Sequence, residues 1–211
     1  MYSTAYLQTS IRHGFTLAGS NPWGVLSTIS TLDPRVPLVE REETPDELTE
    51  LYDKLLADRG VVPNMFKALS GAPHLALGMA TFLKALMREG ALPGWYKELI
   101  ATRVASLNRC DYCVSAHRYL ALQRGATLGQ VASYDNFENG PFTEKERAGF
   151  RYATLLHQSG HAVNEAAFEA LAQHFDSEEI LELTAVASAY EMLSRINSGL
   201  RIPVTPLPGS A

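Results

Sequence analysis

The stretch from Thr44 to Leu200 is divided by helix boundary signals, and these favour one fold class. Between the signals, apolar residues recur at intervals of three and four, as on the buried face of a helix. No segment alternates apolar and polar residues as a half-buried strand does. Four capping boxes, in which Thr or Asp is followed three residues later by Glu or Gln, begin at Thr44, Thr127, Thr143 and Asp176. The sequence therefore predicts an all-α bundle of about eight to nine helices.

Glycines, prolines and asparagines mark the other helix boundaries. Gly60 is predicted to end the first helix, and Gly125 the helix that begins near Arg109. Asn64, Asn108 and Asn164 stand at positions where their side chains predict N-caps. A short helix is predicted over 64–69, and longer helices over 73–89, 93–107, 109–124, 143–157, 164–175 and 176–200.

The two ends of the chain lack helical periodicity. Residues 1–40 mix Gly, Ser, Thr and Pro with apolar residues, and they predict an irregular N-terminal arm or a partly ordered tail. Prolines at 203, 206 and 208 disfavour a helix near the C-terminus. We therefore expect an arm over residues 1–40, a helical domain over 41–205 and a tail over 206–211.

Composition excludes several classes of function. The 211 residues carry a net charge of −5, from 18 basic and 23 acidic side chains, and show no basic stripe of the kind that binds nucleic acid. No apolar run approaches the roughly 20 residues that span a bilayer, and no signal-peptide pattern is present. We therefore expect a cytoplasmic protein with neither nucleic acid nor membrane as a partner.

The chemistry of the chain is concentrated in one short segment. Cys110 and Cys113 are its only cysteines, and His117 follows four residues later. On a helix, residues three, four and seven apart share a face, so two thiols and one imidazole converge there. Structural disulfides are rare in reducing compartments, so this spacing indicates redox catalysis or metal binding.

Thiol redox chemistry has a physical basis in this segment. The thiolate is the nucleophile, and a position near a helix start favours the negative charge on Cys110. His117, one turn beyond Cys113, can accept a proton from that thiol. If one sulfur is oxidised to a sulfenic acid, the other can condense with it to form a disulfide.

Other interpretations remain open at this point. Cys110, Cys113 and His117 supply three potential zinc ligands, with Glu98 as a possible fourth, although no second Cys/His pair has ligand spacing. The cysteines are otherwise small core residues, and Glu98 taken alone is equally compatible with a solvated helix face. Tyr112 is either a packing aromatic or a hydrogen-bond donor near the thiols.

The block from Glu98 to His117 resembles the AhpD-like superfamily, also called the carboxymuconolactone decarboxylase family, and in particular its peroxidase-related (alkylhydroperoxidase-like) branch. The shared pattern is a Glu, eleven residues, then Cys-x-x-Cys-x-x-x-His. Segments 62–66 and 142–147, and the helix around Asn197, extend the resemblance over about residues 35–205.

The resemblance implies an all-helical antioxidant enzyme, an AhpD-like peroxidase with peroxiredoxin activity. Cys113 would attack a hydroperoxide, Cys110 would resolve the product to a disulfide, and Glu98 and His117 would relay protons. AhpD itself has a histidine at the position of Tyr112, so this chain lacks one relay member. The decarboxylase branch lacks the paired cysteines, which disfavours decarboxylation here.

The resemblance also concerns partners. It implies a homo-oligomer (dimer, trimer or hexamer) and a dithiol or lipoyl-type reductant. We expect no cofactor and no resident metal. The alternative is a helical metal-binding or structural oligomeric module without peroxidase activity.

Overall fold

A computed structural model describes residues 33–206, which form nine α-helices and four short 3-10 helices with no strand among them. The predicted all-α fold is confirmed. Most of the predicted arm (1–40) and tail (206–211) lies outside the described residues, so the domain boundaries stay a prediction. None of the described helices combines the length and apolar character needed to cross a membrane.

The α-helices are α1 (Thr49–Arg59), α2 (Asn64–Leu69), α3 (Pro73–Leu86), α4 (Gly94–Leu107), α5 (Asp111–Gln123), α6 (Leu128–Ser133), α7 (Glu144–Gln158), α8 (Glu165–Ala172) and α9 (Ser177–Leu200). The 3-10 helices are Arg41–Glu43, Asp46–Leu48, Phe137–Asn139 and Gly160–Ala162.

Helix α4 is the centre of the molecule. Ten of its fourteen residues are buried, and it packs against α5, α7 and α9. A helix covered on nearly every side has no need of a polar face. The same burial carries two charged side chains, Lys97 and Glu98, into the interior, where each needs a partner of opposite charge.

Several predicted boundaries are confirmed. Complete capping boxes start α6 at Thr127, α7 at Thr143 and α9 at Asp176. The Asn164 side chain accepts a hydrogen bond from the Ala167 N–H and caps α8. Gly60 ends α1 in the left-handed conformation, with φ of 69°.

The capping box predicted at Thr44 is wrong. Its hydroxyl donates to the Glu40 carbonyl, and α1 begins five residues later at Thr49. The intervening 3-10 turn Asp46–Leu48 places Leu48 in the core with no exposed surface. Tertiary burial of one leucine therefore outweighs the local capping pattern.

Two predicted asparagine caps are also wrong. Asn64 is the first residue of α2, and its side-chain amide donates to the carbonyls of Pro203 and Val204. Asn108 is the C-cap residue of α4, and its side-chain amide donates to the Val104 carbonyl. Each side chain donates to a backbone carbonyl instead of capping a helix start. The N-cap residue of α5 is Cys110.

Helix α3 is three residues shorter than predicted, ending at Leu86. The buried Lys97 ammonium donates to the carbonyls of Leu86 and Arg88 and pairs with Glu182 at 2.9 Å. A lysine from α4 therefore satisfies carbonyls at the end of α3 that continued helix would otherwise occupy.

Candidate active site

A tight reversal between α4 and α5 sets the position of the first thiol. Arg109 adopts a left-handed conformation, with φ of 54°, directly after α4. Its N–H donates to the Ser106 carbonyl, and the Cys110 N–H donates to the Ala105 carbonyl. This is the double hydrogen bond of a Schellman ending. It leaves Cys110 as the N-cap of α5, where unpaired N–H groups and the helix dipole favour a negative charge.

The two thiols are buried and close together. Cys110 and Cys113 are both free, have 3% and 1% of their surface exposed, and lie 3.3 Å apart. Because Cys113 is in the first turn of α5, its backbone N–H also points towards the N-cap residue. The pair is arranged for a proton to be shared between the two sulfurs.

The thiol pair ionises in two very different steps. Hydrogen bonds from the thiol and backbone N–H of Cys113 outweigh burial and lower the pKa of Cys110 to about 6. The hydrogen bond to Cys110, together with burial and the neighbouring negative charge, raises the pKa of Cys113. One proton is therefore lost readily and the second is held, with the resting negative charge on Cys110.

Helix α9 contributes polar groups to the thiols. The Asn197 side chain donates from Nδ2 to the Cys113 Sγ at 3.2 Å, and it is 1% exposed. The hydroxyls of Ser198 and Ser194 are near Cys110 and contribute to the lowering of its pKa. Sequence reasoning did not assign these residues to the site. The available signal was that Ser194 and Asn197 are polar residues on a face of α9 that is otherwise apolar and buried.

Glu98 and His117 meet, as the family resemblance implies. Glu98 is 1% exposed, and its Oε2 lies 2.5 Å from the His117 Nδ1. Its other oxygen, Oε1, lies 3.1 Å from the Arg124 Nε. The carboxylate thus joins α4 to two points on α5, and Arg124 is a partner that the sequence did not reveal. In the neutral tautomer with hydrogen on Nδ1, the Nε2 atom is an available proton acceptor.

The imidazole is separate from the sulfurs. His117 packs edge-on against Tyr190, with ring centroids 4.4 Å apart, and within residues 33–206 it makes no hydrogen bond to Cys110 or Cys113. A proton passing between His117 and a thiol therefore needs a bridging water molecule or a shift of the ring. The assignment of His117 and Glu98 to a proton relay stays a prediction.

Comparison with known proteins places this geometry in a family. The family model described as the carboxymuconolactone decarboxylase family matches residues 73–155, which run from α3 into α7 and include Glu98, both cysteines and His117. Over residues 73–155 the chain is therefore similar to this family. The resemblance to the AhpD-like superfamily seen in the sequence is confirmed.

Relatives of the carboxymuconolactone decarboxylase domain agree on the fold. A structure described as the alkylhydroperoxidase AhpD core of an uncharacterized peroxidase-related protein from Ralstonia eutropha JMP134 is 26% identical, with a TM-score of 0.75, and the match covers 82% of this chain and 92% of that one. The debrominase Bmp8, solved with tribromopyrrole, is 21% identical with a TM-score of 0.72, covers 82% and 93%, and shows the fold alone.

A curated relative matches over a shorter region. The uncharacterized protein YnjA of Escherichia coli K12 is 27% identical over 112 residues, which are 53% of this chain and 62% of that protein. The chain spans less than two thirds of the length of the curated relatives that it matches. These matches therefore do not establish the activity or the partners of the whole protein.

Tyr112, between the two cysteines of the motif, has a structural role. Its hydroxyl oxygen accepts from the Met65 N–H at 3.1 Å and from the Thr205 hydroxyl at 3.3 Å. Both partners belong to segments outside α5. Of the two interpretations open in the sequence, the structure shows a buried aromatic whose hydroxyl holds α2 and the C-terminal segment together.

The zinc alternative depends on ligands converging. Nowhere in the described part of the chain do three His, Cys, Asp or Glu side chains come together as a metal site. Glu98, which that alternative would use as a fourth ligand, has one oxygen on His117 and the other on Arg124.

Proposed function

We propose that the protein is a thiol-dependent oxidoreductase that reduces hydroperoxides through a reversible Cys110–Cys113 disulfide. The observation that carries the proposal is the thiol pair itself: two free sulfurs 3.3 Å apart at the start of α5. The first ionisation of the pair falls near neutrality, because Cys113 hydrogen-bonds the Cys110 sulfur and lowers its pKa to about 6. A thiolate is thus available at physiological pH without a metal or cofactor.

The reaction balances in two steps. A thiolate attacks the terminal peroxide oxygen, so that an S–O bond forms as the O–O bond breaks. The alkoxide leaves and takes up a proton to become an alcohol. The second sulfur then attacks the sulfenic acid, an S–S bond forms, and the oxygen departs as water. The two electrons come from the dithiol, and an external dithiol or lipoyl-type compound restores them.

Either cysteine could be the one that attacks the peroxide. The family resemblance assigns the attack to Cys113, with Cys110 resolving. The resting charge favours Cys110, because Cys113 donates a hydrogen bond to it and lowers its pKa. These assignments are reconciled if Cys110 takes the remaining proton of Cys113 as the peroxide approaches. Labelling of single-cysteine variants distinguishes them.

Glu98 and His117 complete the proposed site as a proton relay. The Glu98 carboxylate holds the His117 ring through Nδ1 and leaves Nε2 to exchange a proton with the leaving alkoxide or with the thiol pair. Arg124 pairs with the second oxygen of Glu98. This division into reacting group, proton-transfer group and orienting group is the usual logic of nucleophilic catalysis.

We also propose that the protein is a homo-oligomer that acts in the cytoplasm. The support for self-association comes from α3, which exposes the large apolar side chains of Leu75, Leu77 and Phe82. Leu75 and Phe82 are seven residues apart and share one face of the helix, and exposed apolar side chains on one face are typical of an interaction site.

One titration tests the proposed activity. Folded protein is treated with one equivalent of hydroperoxide, and free thiols are counted before and after. We expect both thiols to disappear, the intact mass to fall by two hydrogens, and dithiothreitol to restore both thiols. The Cys110→Ser/Cys113→Ser double variant should leave the peroxide unconsumed. Survival of both thiols in the folded wild-type protein would refute the proposal.

A further inference from the structure

Two side chains of α9 place polar atoms at the thiol site that have no hydrogen-bond partner among the described residues. Ser194 and Asn197 are each 1% exposed. The Asn197 Nδ2 donates to the Cys113 Sγ, but its Oδ1 has no hydrogen-bond partner among the described residues. The Ser194 hydroxyl oxygen is likewise buried and unpaired within that range.

These unpaired atoms call for an explanation. A buried polar group without a partner destabilises the folded state, and native proteins contain few of them. A helical serine ordinarily returns its hydroxyl to a carbonyl one turn earlier, as Thr184 of the same helix does with Ile180. Ser194 does not do so in this structure. Alanine would avoid this cost. Besides its effect on the thiol pKa values, the hydroxyl is therefore available to a group that forms only during the reaction.

We propose that Ser194 and Asn197 form a receiving site for the oxygen atom that Cys113 gains on oxidation to a sulfenic acid. The inference rests on the proposed function and extends it to a specific intermediate. The residues are three apart on α9, so their side chains lie on one face of the helix. The existing Nδ2–Sγ contact fixes Cys113 beside them.

The chemistry of the two atoms matches a sulfenic acid. Its O–H group is a donor, which the unpaired Asn197 Oδ1 can accept, and its oxygen is an acceptor for the Ser194 hydroxyl hydrogen. The resting thiol offers neither an oxygen nor a strong donor. The Ser194 hydroxyl lowers the pKa of both thiols, so it is near the two sulfurs and close to the position where the new oxygen forms.

The site acts between the two chemical steps. The Cys113 thiolate attacks the hydroperoxide, the S–O bond forms and the alcohol leaves, which creates the sulfenic acid. Ser194 and Asn197 then hold its oxygen while the Cys110 thiolate attacks the Cys113 sulfur from the other side. The S–S bond forms, the S–O bond breaks, and the oxygen leaves with two protons as water.

The test isolates the intermediate by removing the resolving thiol. In the Cys110→Ser background, the protein receives one equivalent of hydrogen peroxide, and the sulfenic acid is trapped with dimedone after increasing delays and located by peptide mass spectrometry. Ser194→Ala and Asn197→Leu are added separately, and circular dichroism confirms that each variant is folded. Thr184→Val is the matched control, because it removes a hydroxyl from α9 away from the thiols.

The expected result is dimedone label on Cys113 and a shortened sulfenic acid lifetime in both α9 variants. We expect the lifetime to fall about fivefold or more, the effect of one ordinary hydrogen bond, with faster appearance of sulfinic acid. Thr184→Val should leave the lifetime unchanged. A sulfenic acid with the same lifetime in all variants overturns the inference. So does a sulfenic acid that forms on Cys110 in the reciprocal Cys113→Ser protein but not on Cys113 in the Cys110→Ser protein. Either result leaves the peroxidase proposal standing. Absence of any sulfenic acid or disulfide in the wild-type protein overturns both.

Discussion

At the residue scale, the buried carboxylate of Glu98 contacts two partners, one through each oxygen. It orients His117 through Oε2 and pairs with Arg124 through Oε1. An ionised group with 1% exposure is stable only when both oxygens have partners. The proposed relay and the local stability of the α4–α5 pair therefore depend on the same side chain.

Glu98→Gln should lower the free energy of unfolding by about 2–4 kcal/mol, because it leaves Arg124 without its buried counter-charge. The same change should slow the loss of thiols with hydroperoxide by freeing the His117 ring. Chemical denaturation and stopped-flow thiol titration measure the two effects. Glu89→Gln is the matched control, since Glu89 also faces Arg124, at 4.0 Å, but is 73% exposed; we expect about 0.5 kcal/mol or less. Equal effects of the two variants would contradict the role given to Glu98.

The thiol pair predicts a characteristic dependence on pH. Because Cys113 donates a hydrogen bond to it, Cys110 has a folded pKa of about 6, below its ordinary value of 9.0. Between these values the unfolded chain holds more protons than the folded one, so stability rises with pH from about 6 to 9. Above the ordinary thiol pKa of 9.0 the sign reverses, since the pKa of Cys113 is raised.

Alkylation and denaturation across pH test this behaviour. Iodoacetamide should react with Cys110 first, with a midpoint about 6, and Cys110→Ser should abolish both this reaction and the rise of stability between pH 6 and 9. A reaction midpoint near the ordinary thiol pKa would show that the two sulfurs do not share a proton.

At the scale of elements, two sequences with the same capping pattern behave differently. Thr143 caps α7 in a complete box, whereas the Thr44 hydroxyl only donates to the Glu40 carbonyl. Thr143→Ala should therefore cost about 1 kcal/mol of unfolding free energy, and Thr44→Ala clearly less. Thermal or chemical denaturation of both variants measures the difference. A larger loss for Thr44→Ala would mean that the first helix is capped as the sequence predicted.

The turn between α4 and α5 gives a second prediction at this scale. Arg109 holds a left-handed conformation that costs a residue with a Cβ atom about 1–2 kcal/mol. Arg109→Gly should raise the stability by about 1 kcal/mol, and Arg109→Ala should not, because alanine keeps the strain. Arg201 ends α9 with φ of 55°, so Arg201→Gly is a parallel test at the other helix. Destabilisation by glycine at both sites would show that the arginine side chains outweigh the backbone strain.

The contrast between local and long-range contacts explains what the sequence predicted. The convergence of Cys110 and Cys113 depends on three-residue spacing near one helix start, so it was accessible from the sequence. The capping boxes of Thr127, Thr143 and Asp176 are equally local. Contacts between helices were not accessible in this way. Arg124 and Asn197 reach the site because α5 and α9 pack on α4, and spacing along the chain carries no signal of that packing.

Glu98 lies between these cases. Its position opposite His117 also depends on the packing of α4 against α5, and only the family pattern placed it in the site in advance. At Thr44, in contrast, a sound local rule failed because burial of Leu48 dictated a 3-10 turn. Tertiary packing therefore completes the site in one place and overrides local structure in another.

At the scale of the whole molecule, α3 is an apolar helix that leaves large apolar side chains exposed to solvent. In the described part of the protein Ala76 is its one fully buried residue, while Leu75, Leu77 and Phe82 have 54%, 39% and 43% of their surfaces exposed. Packing of α3 against a second copy of the chain would bury this surface, and the proposed homo-oligomer provides that partner. The face of α3 that carries Leu75 and Phe82 is therefore a candidate subunit interface.

Charge on this face should disrupt the assembly without unfolding the subunit. Leu75→Glu/Phe82→Glu is expected to sediment near the monomer mass of 23.1 kDa with an unchanged helical circular dichroism spectrum, whereas the wild-type protein sediments as a larger species. Leu181→Glu is the control, because Leu181 is 70% exposed on α9 and the change places a charge on an exposed apolar side chain elsewhere. If Leu181→Glu dissociates the protein and the α3 variant does not, the interface lies on α9. A wild-type protein that sediments at the monomer mass would refute the oligomer itself, and the thiol titration would then report on a site complete within one chain.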